Sequence, residues 1–261
     1  MRWRTHRAGP CGPLARLDKA TLSALAQEHG IHVLECASNP TDLLAEVSLE
    51  PAETISSAAS KLKGRVSSWL RTELALPSPA KLLSRGYFAC TVGKSTSSEV
   101  EKYLSKQAEH HGYAARKLPP IHVAKFELDE TNIRPTHASV ISQFHIVLAT
   151  SGRIGIFGSE SAERVTEEWR RLQAKWRIAL LKVSFLPDHV HLALRLHPAV
   201  SPAETVVELM NASQELMKRE QVFSGVNRLW QPSAYIGSYG ELASPQIRKY
   251  IEDWKMSEES T

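Results

Sequence analysis

The sequence predicts an α+β protein in which one motif, an antiparallel sheet with helices on one side, occurs twice. Three observations predict it. A shift of 147 residues (Gly93 to Gly240) lays the first half over the second, so that Tyr103 falls on Tyr250 and Pro51 on Pro198. The same order of helix, strand, strand, helix, strand, glycine and tyrosine helix runs through both halves. The tetrapeptide Pro-Ala-Glu-Thr stands at 51–54 and again at 202–205, which requires a local four-residue insertion in the second copy. Two copies are too few for a solenoid and suggest a pseudo-dimer within one chain.

The elements follow in order. The basic start, Met1 to Arg7, is either a frayed tail or an arm that touches phosphate. Leu22, Leu25 and Ala26 mark a first helix in copy one, and Trp169, Leu172 and Trp176 mark its counterpart. Strands follow at 31–36 and 43–47, matched by 178–183 and 190–194. Long helices are expected over 52–74 and 203–220, then short strands at 87–92 and 235–239. The closing helices carry start signals: Ser97 as a cap in one copy, and Ser244 with Pro245 at the first helical position in the other. Copy two has an extra early strand at 144–148, whose equivalent in copy one would fall before Met1. A strand-like stretch at 121–126 either fills that vacant position or belongs to the connection or a sheet edge, and 129–136 reads as linker. The expected organisation is a first copy over 1–118, a connection over 119–140 and a second copy over 141–261.

Composition narrows the class. Hydrophobic and charged fractions of 42% and 23% are ordinary for a globular chain. No apolar run reaches the roughly 18–20 residues needed to span a bilayer, so no membrane association is expected. Cys11, Cys36 and Cys90 are odd in number and widely spaced, which fits a reducing cytoplasm better than disulfides or zinc. A net charge of +4 permits a polyanionic partner without requiring one.

His189-Val190-His191 begins a strand, where side chains two apart share a face and could grip one metal ion. A fortuitous pair among eleven histidines is the plainer alternative. Asp188 is a turn residue or an orienting partner. Tyr103 and Gln107 stand four apart on a helix and share a face. They read either as packing residues or as a nucleophile beside a metal ligand. A phenol with an ordinary pKa of about 10 needs help to attack at neutral pH. Mg²⁺ or Mn²⁺ suits oxygen and imidazole ligands and would supply that help. Lys61, Lys63, Arg65 and Arg71 lie along the middle helix of copy one with Trp69 among them. They read as a DNA-binding face with a stacking aromatic, or as a solvated face over a core tryptophan.

The segment from Leu186 to Leu192 resembles the His–hydrophobic–His signature of the single-tyrosine HUH transposases, the TnpA-type insertion-sequence enzymes and their REP-associated relatives. The stretch from Phe144 to Val147 resembles their first strand. The stretches 62–68 and 86–93 resemble their middle helix and the strand that follows it. The segments 101–107 and 248–254 resemble their tyrosine helix. The resemblance implies two ferredoxin-like domains and a metal-dependent cutter and rejoiner of single-stranded DNA at hairpin ends. It also implies a composite site, with the histidines of one subunit and the tyrosine helix of the other. Copy one keeps Tyr103 and Gln107 but has Asp42 and Leu44 in the histidine places. Copy two keeps His189 and His191 but has Trp254 in the glutamine place. The expected site is therefore Tyr103, Gln107, His189 and His191, with Tyr250 as second choice of nucleophile.

The resemblance also implies that the tyrosine helix can swing between partners, with Gly93 and Gly240 as suitable hinges; here a swing would split the site, so Tyr103 is expected to stay with His189 and His191. Other classes stay open: a silent hairpin-binding regulator, or an initiator-type nickase acting on a duplex origin. The chain is expected to act as a monomeric pseudo-dimer in the nucleoid of a bacterial or archaeal cell, with a partner protein of a mobile element as a further possibility.

Overall fold

The structure is a computed structural model and describes residues 1–6, 11–76, 81–105, 120–220, 228–241 and 243–259. The elements in the first part of the chain are β1 (Arg2–Arg4), α1 (Lys19–Gln27), β2 (His32–Ser38), β3 (Asp42–Ser48), α2 (Ile55–Glu73), β4 (Phe88–Cys90) and α3 (Ser97–Ser105). Then come β5 (His122–Lys125), β6 (Ser139–Ile141), β7 (Gln143–Thr150), α4 (Ser159–Trp176), β8 (Ile178–Leu186), β9 (His189–Leu196), α5 (Pro202–Arg219), β10 (Trp230–Tyr239) and α6 (Ser244–Glu259). They form two compact units. Unit 1 holds Met1–Cys90, Pro135–Ile141 and Ala243–Thr261; unit 2 holds Thr91–Arg134 and Ser142–Leu242. Each unit thus contains the tyrosine helix of the other copy: α6 lies in unit 1 and α3 in unit 2.

The sheet of unit 1 runs β2-β3-β1-β4-β6, antiparallel except for the β4–β6 pair. Helices α1 and α2 cover one face. Asp18 caps α1 by accepting from the Thr21 amide at 2.8 Å, and Thr54 caps α2 by accepting from Ser57 at 3.1 Å. On α2, Ala58, Ala59, Leu62, Val66 and Leu70 are buried, the three- and four-residue spacing of a single face. They pack with Trp3, Leu14, Leu22 and Leu43. Trp69 packs against this core as a partly buried side chain.

The sheet of unit 2 runs β10-β7-β9-β8-β5 and is antiparallel throughout. Its core face carries Ile146, Leu148, Val190, Leu192 and Leu194 beneath α4 and α5. Trp169 on α4 donates from Nε1 to the Leu209 carbonyl at 2.9 Å, so its buried N–H is satisfied. Because strand side chains alternate, residues 189, 191 and 193 of β9 must face the other way. That face receives α3, through a small cluster of Val100, Leu104, Ala193 and Tyr239.

The α+β class and its twofold repetition stand as expected, and several details differ. Copy one does have its first strand. β1 pairs with β3, Arg2 opposite Leu44, as β7 pairs with β9, Val147 opposite His191. Trp3 is 1% exposed, so Arg2–Arg4 is a strand of the sheet and not a frayed tail. Stretch 121–126 contributes β5, an edge strand beside β8 in unit 2, so it does not occupy the vacant position. The four-residue insertion is not needed: Thr54 and Ser201, 147 apart (201 − 54), both cap the helices that follow them. The shared Pro-Ala-Glu-Thr precedes one helix and opens the other. The closing helices begin at Ser97 and Ser244 themselves. Thr96 caps the first, exchanging bonds with Glu99: its amide donates to Oε2 at 2.7 Å.

Candidate active site

His189 and His191 sit on the α3-facing side of β9, 1% and 3% exposed, with ring centroids 5.0 Å apart. The two-residue turn Pro187-Asp188 between β8 and β9 places Asp188 against the first imidazole. Its Oδ1 lies 2.6 Å from His189 Nδ1, and its Oδ2 accepts from Arg153 Nε at 3.0 Å. Asp188 is therefore an orienting partner as well as a turn residue. A carboxylate on Nδ1 draws the ring proton there and leaves Nε2 with the lone pair. His191 Nδ1 lies 3.0 Å from Nε2 of His145, on the adjacent strand β7. The two rings stack at 5.3 Å, 17° from parallel.

Tyr103 on α3 meets this pair edge-on, 5.8 Å from His145 and 5.7 Å from His191 between centroids. An open cleft of about 370 Å³ runs past them, lined by Ser95, Glu99, Tyr103, His145, His191 and Tyr235 among others. Burial, helped by the nearby Tyr235 phenol, pushes the Tyr103 pKa up. Burial holds His145 down at about 4, so it is neutral at physiological pH.

The approach to α3 is tied to the end of β10. Thr91 Oγ1 donates to the Tyr239 carbonyl at 2.7 Å and accepts from the Gln143 amide at 2.8 Å. Ser238 Oγ donates to the Val92 carbonyl at 2.6 Å, and the Ser97 amide donates to Gly240 at 2.8 Å. Gly93 is needed here because its backbone abuts Ser238, a close approach and not a hinge's freedom.

Tyr103, His189 and His191 are thus brought into one unit. Gln107 lies outside the described residues. Among the described residues, no group of three or more His, Cys, Asp and Glu is arranged to hold a metal ion. The donor set that is present nonetheless fits an ion: two buried imidazoles share one strand face, and with each Nδ1 engaged, Nε2 is the nitrogen that would ligate. Oxygen ligands would have to complete it.

In unit 1 the same strand positions carry a different chemistry. Asp42 accepts from Arg2 Nε at 2.8 Å and Arg4 Nε at 3.1 Å, and Leu44 cannot ligate. Glu46, one step along the same face, accepts from Arg248 on α6 at 3.0 Å. Tyr250 lies on α6, and its side chain falls outside the described residues, as does that of Trp254. The expected DNA-binding residues on α2 have protein partners. Lys61 pairs with Glu53, Arg65 pairs with Glu28, and Lys63 donates to the Arg85 carbonyl at 3.1 Å. Arg71 stands near the end of the helix.

Sequence reasoning gave no role to His145, Tyr235 or Arg153. The alternation of β7 offers a signal for the first. Residues 145, 147 and 149 share a face, and that face is the histidine face once β7 is paired with β9.

The sheet of unit 2 thus presents a buried His–hydrophobic–His pair to the helix that carries Tyr103, and comparison with known proteins gives the class. The family described as "Transposase IS200 like" matches residues 15–107 and 139–254, most of the chain in two passes, and the chain belongs to that family. Among curated proteins it is similar to the ISDra2 transposase TnpA of Deinococcus radiodurans, 28% identical over 116 residues, which is 42% of this chain and 81% of that protein. Among solved structures it matches a candidate transposase from Deinococcus radiodurans R1 at 25% identity and a TM-score of 0.37, covering 46% of this chain and 96% of that one. No helix among the described residues is long and apolar enough to cross a membrane.

Proposed function

We propose that the chain cleaves and rejoins single-stranded DNA at hairpin-bearing sites, with one working composite site and Tyr103 as nucleophile. The observation that carries this reading is the placement of Tyr103, from copy one, 5.7 Å from the His191 ring of copy two within a single unit. In this reading His189 and His191 hold Mg²⁺ or Mn²⁺, and Gln107, four residues after Tyr103 in the sequence, adds an oxygen ligand. The chemistry such an ion supplies is charge neutralisation on the scissile phosphate and stabilisation of the departing oxygen.

Tyr103 supplies the attack. Its Oη bonds to phosphorus, the bond to the 3′ oxygen breaks, and that oxygen takes up the proton the phenol sheds through solvent. The resulting 5′-phosphotyrosine keeps the bond energy, and a 3′-hydroxyl reverses the step. Burial disfavours the phenolate, so an unassisted Tyr103 is a poor nucleophile and a cation beside it is required. The ties between Thr91–Ser97 and β10 support a tyrosine helix that stays in place through the cycle. The cut and the rejoining would then use the same site.

The ion pairs made by Lys61 and Arg65 mean that phosphate would have to displace Glu53 and Glu28 to use them. Any grip on DNA by α2 is accordingly a secondary part of the reading.

The test is a covalent adduct resolved on a denaturing gel. Wild type, Tyr103→Phe and Tyr250→Phe are incubated with Mn²⁺ and labelled hairpin strands from the flanks of the gene. An adduct lost only in Tyr103→Phe is expected. Loss only in Tyr250→Phe overturns the assignment. Tight binding without any adduct favours a silent hairpin-binding regulator.

A further inference from the structure

The two histidines of the pair are supported in different ways. His189 has an anionic partner, Asp188, itself held by Arg153. His191 Nδ1 instead faces the Nε2 of a neutral ring, His145, at 3.0 Å. A hydrogen bond between two imidazoles needs one N–H and one lone pair, so it couples the tautomers of both rings. If His191 donates from Nδ1, its Nε2 carries the lone pair and can bind a cation. If His191 accepts there, its Nε2 carries the proton and cannot.

His145 is held where it can accept the bond of the first arrangement. Its ring is held by three others: it stacks on His191 and is met edge-on by Tyr103 at 5.8 Å and by Tyr235 at 5.6 Å. The Tyr235 ring lies over Gly237, filling the space where a Cβ would otherwise stand. A side chain so enclosed has few rotamers left, and the 3.0 Å bond is held without further ordering.

We propose that His145 is a positioning residue that accepts a hydrogen bond from His191 Nδ1, fixing His191 as the tautomer whose Nε2 binds the metal. It does for the second histidine what Asp188 does for the first, but without charge. The two ligands consequently differ in strength: the carboxylate-backed His189 is the more basic, and His191 the more readily exchanged. The metal part of this inference rests on the proposed function; the tautomer part does not.

Two measurements on the full chain test it. The first is a long-range ¹H–¹⁵N correlation spectrum of the metal-free wild type, with His191 assigned through His191→Gln. A protonated Nδ1 and an unprotonated Nε2 on His191 are expected; the opposite tautomer overturns the proposal whatever the metal does. The second follows Mn²⁺ binding by the loss of the free-ion electron paramagnetic resonance signal. His145→Leu removes the acceptor and should weaken Mn²⁺ binding roughly 10–100-fold. His145→Gln places a carbonyl oxygen near the old Nε2 and should restore binding to within about threefold of wild type. Equal binding by wild type and a folded His145→Leu overturns the positioning role and leaves the metal reading intact. No Mn²⁺ binding by wild type removes the metal reading and the role toward it together. Should His145→Leu fail to fold, the spectrum and the Gln variant still decide.

Discussion

A Cβ built on Gly93 would lie 1.9 Å from the carbonyl oxygen of Ser238. Backbone meets backbone there, and neither can give way cheaply. Gly93→Ala should therefore force the approach to α3 off the end of β10, at a cost of about 1–3 kcal/mol. The expected outcome is a lower denaturant midpoint together with reduced adduct yield, because α3 carries Tyr103. Unchanged adduct at full stability would mean that the strap does not fix the helix.

Leu104 offers a complementary probe. It is 1% exposed and joins Val100 against Ala193 and Tyr239. Leu104→Ala should cost about 2–5 kcal/mol if the pocket cannot collapse. Hydrogen exchange over 97–105 should rise ahead of exchange in β9, marking α3 as the first element to detach.

Asp188→Asn keeps an acceptor near His189 Nδ1 but removes the charge and leaves Arg153 without its carboxylate. Mn²⁺ affinity should fall roughly 10–100-fold, measured by calorimetry, with the unfolding midpoint little changed. Loss of stability without loss of affinity would make Asp188 a turn residue alone.

Asp42 gives a pH signature. Burial pushes its carboxyl up, but hydrogen bonds from Arg2, Thr41 and Arg4 outweigh that and hold it below the usual carboxylate range. A pKa depressed in the folded state contributes stability above the unfolded value, and that contribution is lost as pH falls through the folded one. The destabilisation of Asp42→Asn should therefore be full at pH 7 and shrink below about pH 4. Unfolding free energies of the two proteins between pH 7 and pH 2 decide it; parallel curves would contradict the assignment.

Much of this was legible in the sequence because periodicity survives duplication. The 147-residue register places Thr54 with Ser201 as helix caps and Asp42 with His189 at strand starts. The first strand of copy one was not legible, since β1 aligns two residues away from that register and spans only Arg2–Arg4. The shared tetrapeptide misled, because identity of four residues outweighed the cap chemistry beside it. Spacing singled out Tyr103, His189 and His191, but could not give His145 a role. That role comes from the pairing of β7 with β9, a contact between distant segments. The partner of Arg65 was hidden for the same reason, since Glu28 at the end of α1 reaches it only after α1 and α2 pack.

The assignment of α6 to unit 1 bears on how the chain is made. Unit 1 begins with the first ninety residues and receives Ala243–Thr261 only at the end. At about 5–20 residues per second, the intervening synthesis takes on the order of 10–30 s. Throughout that interval Glu46, 4% exposed in the finished protein, has yet to meet Arg248. A nascent chain would thus spend that interval with one sheet face not yet covered by α6, and faster elongation would shorten the exposure.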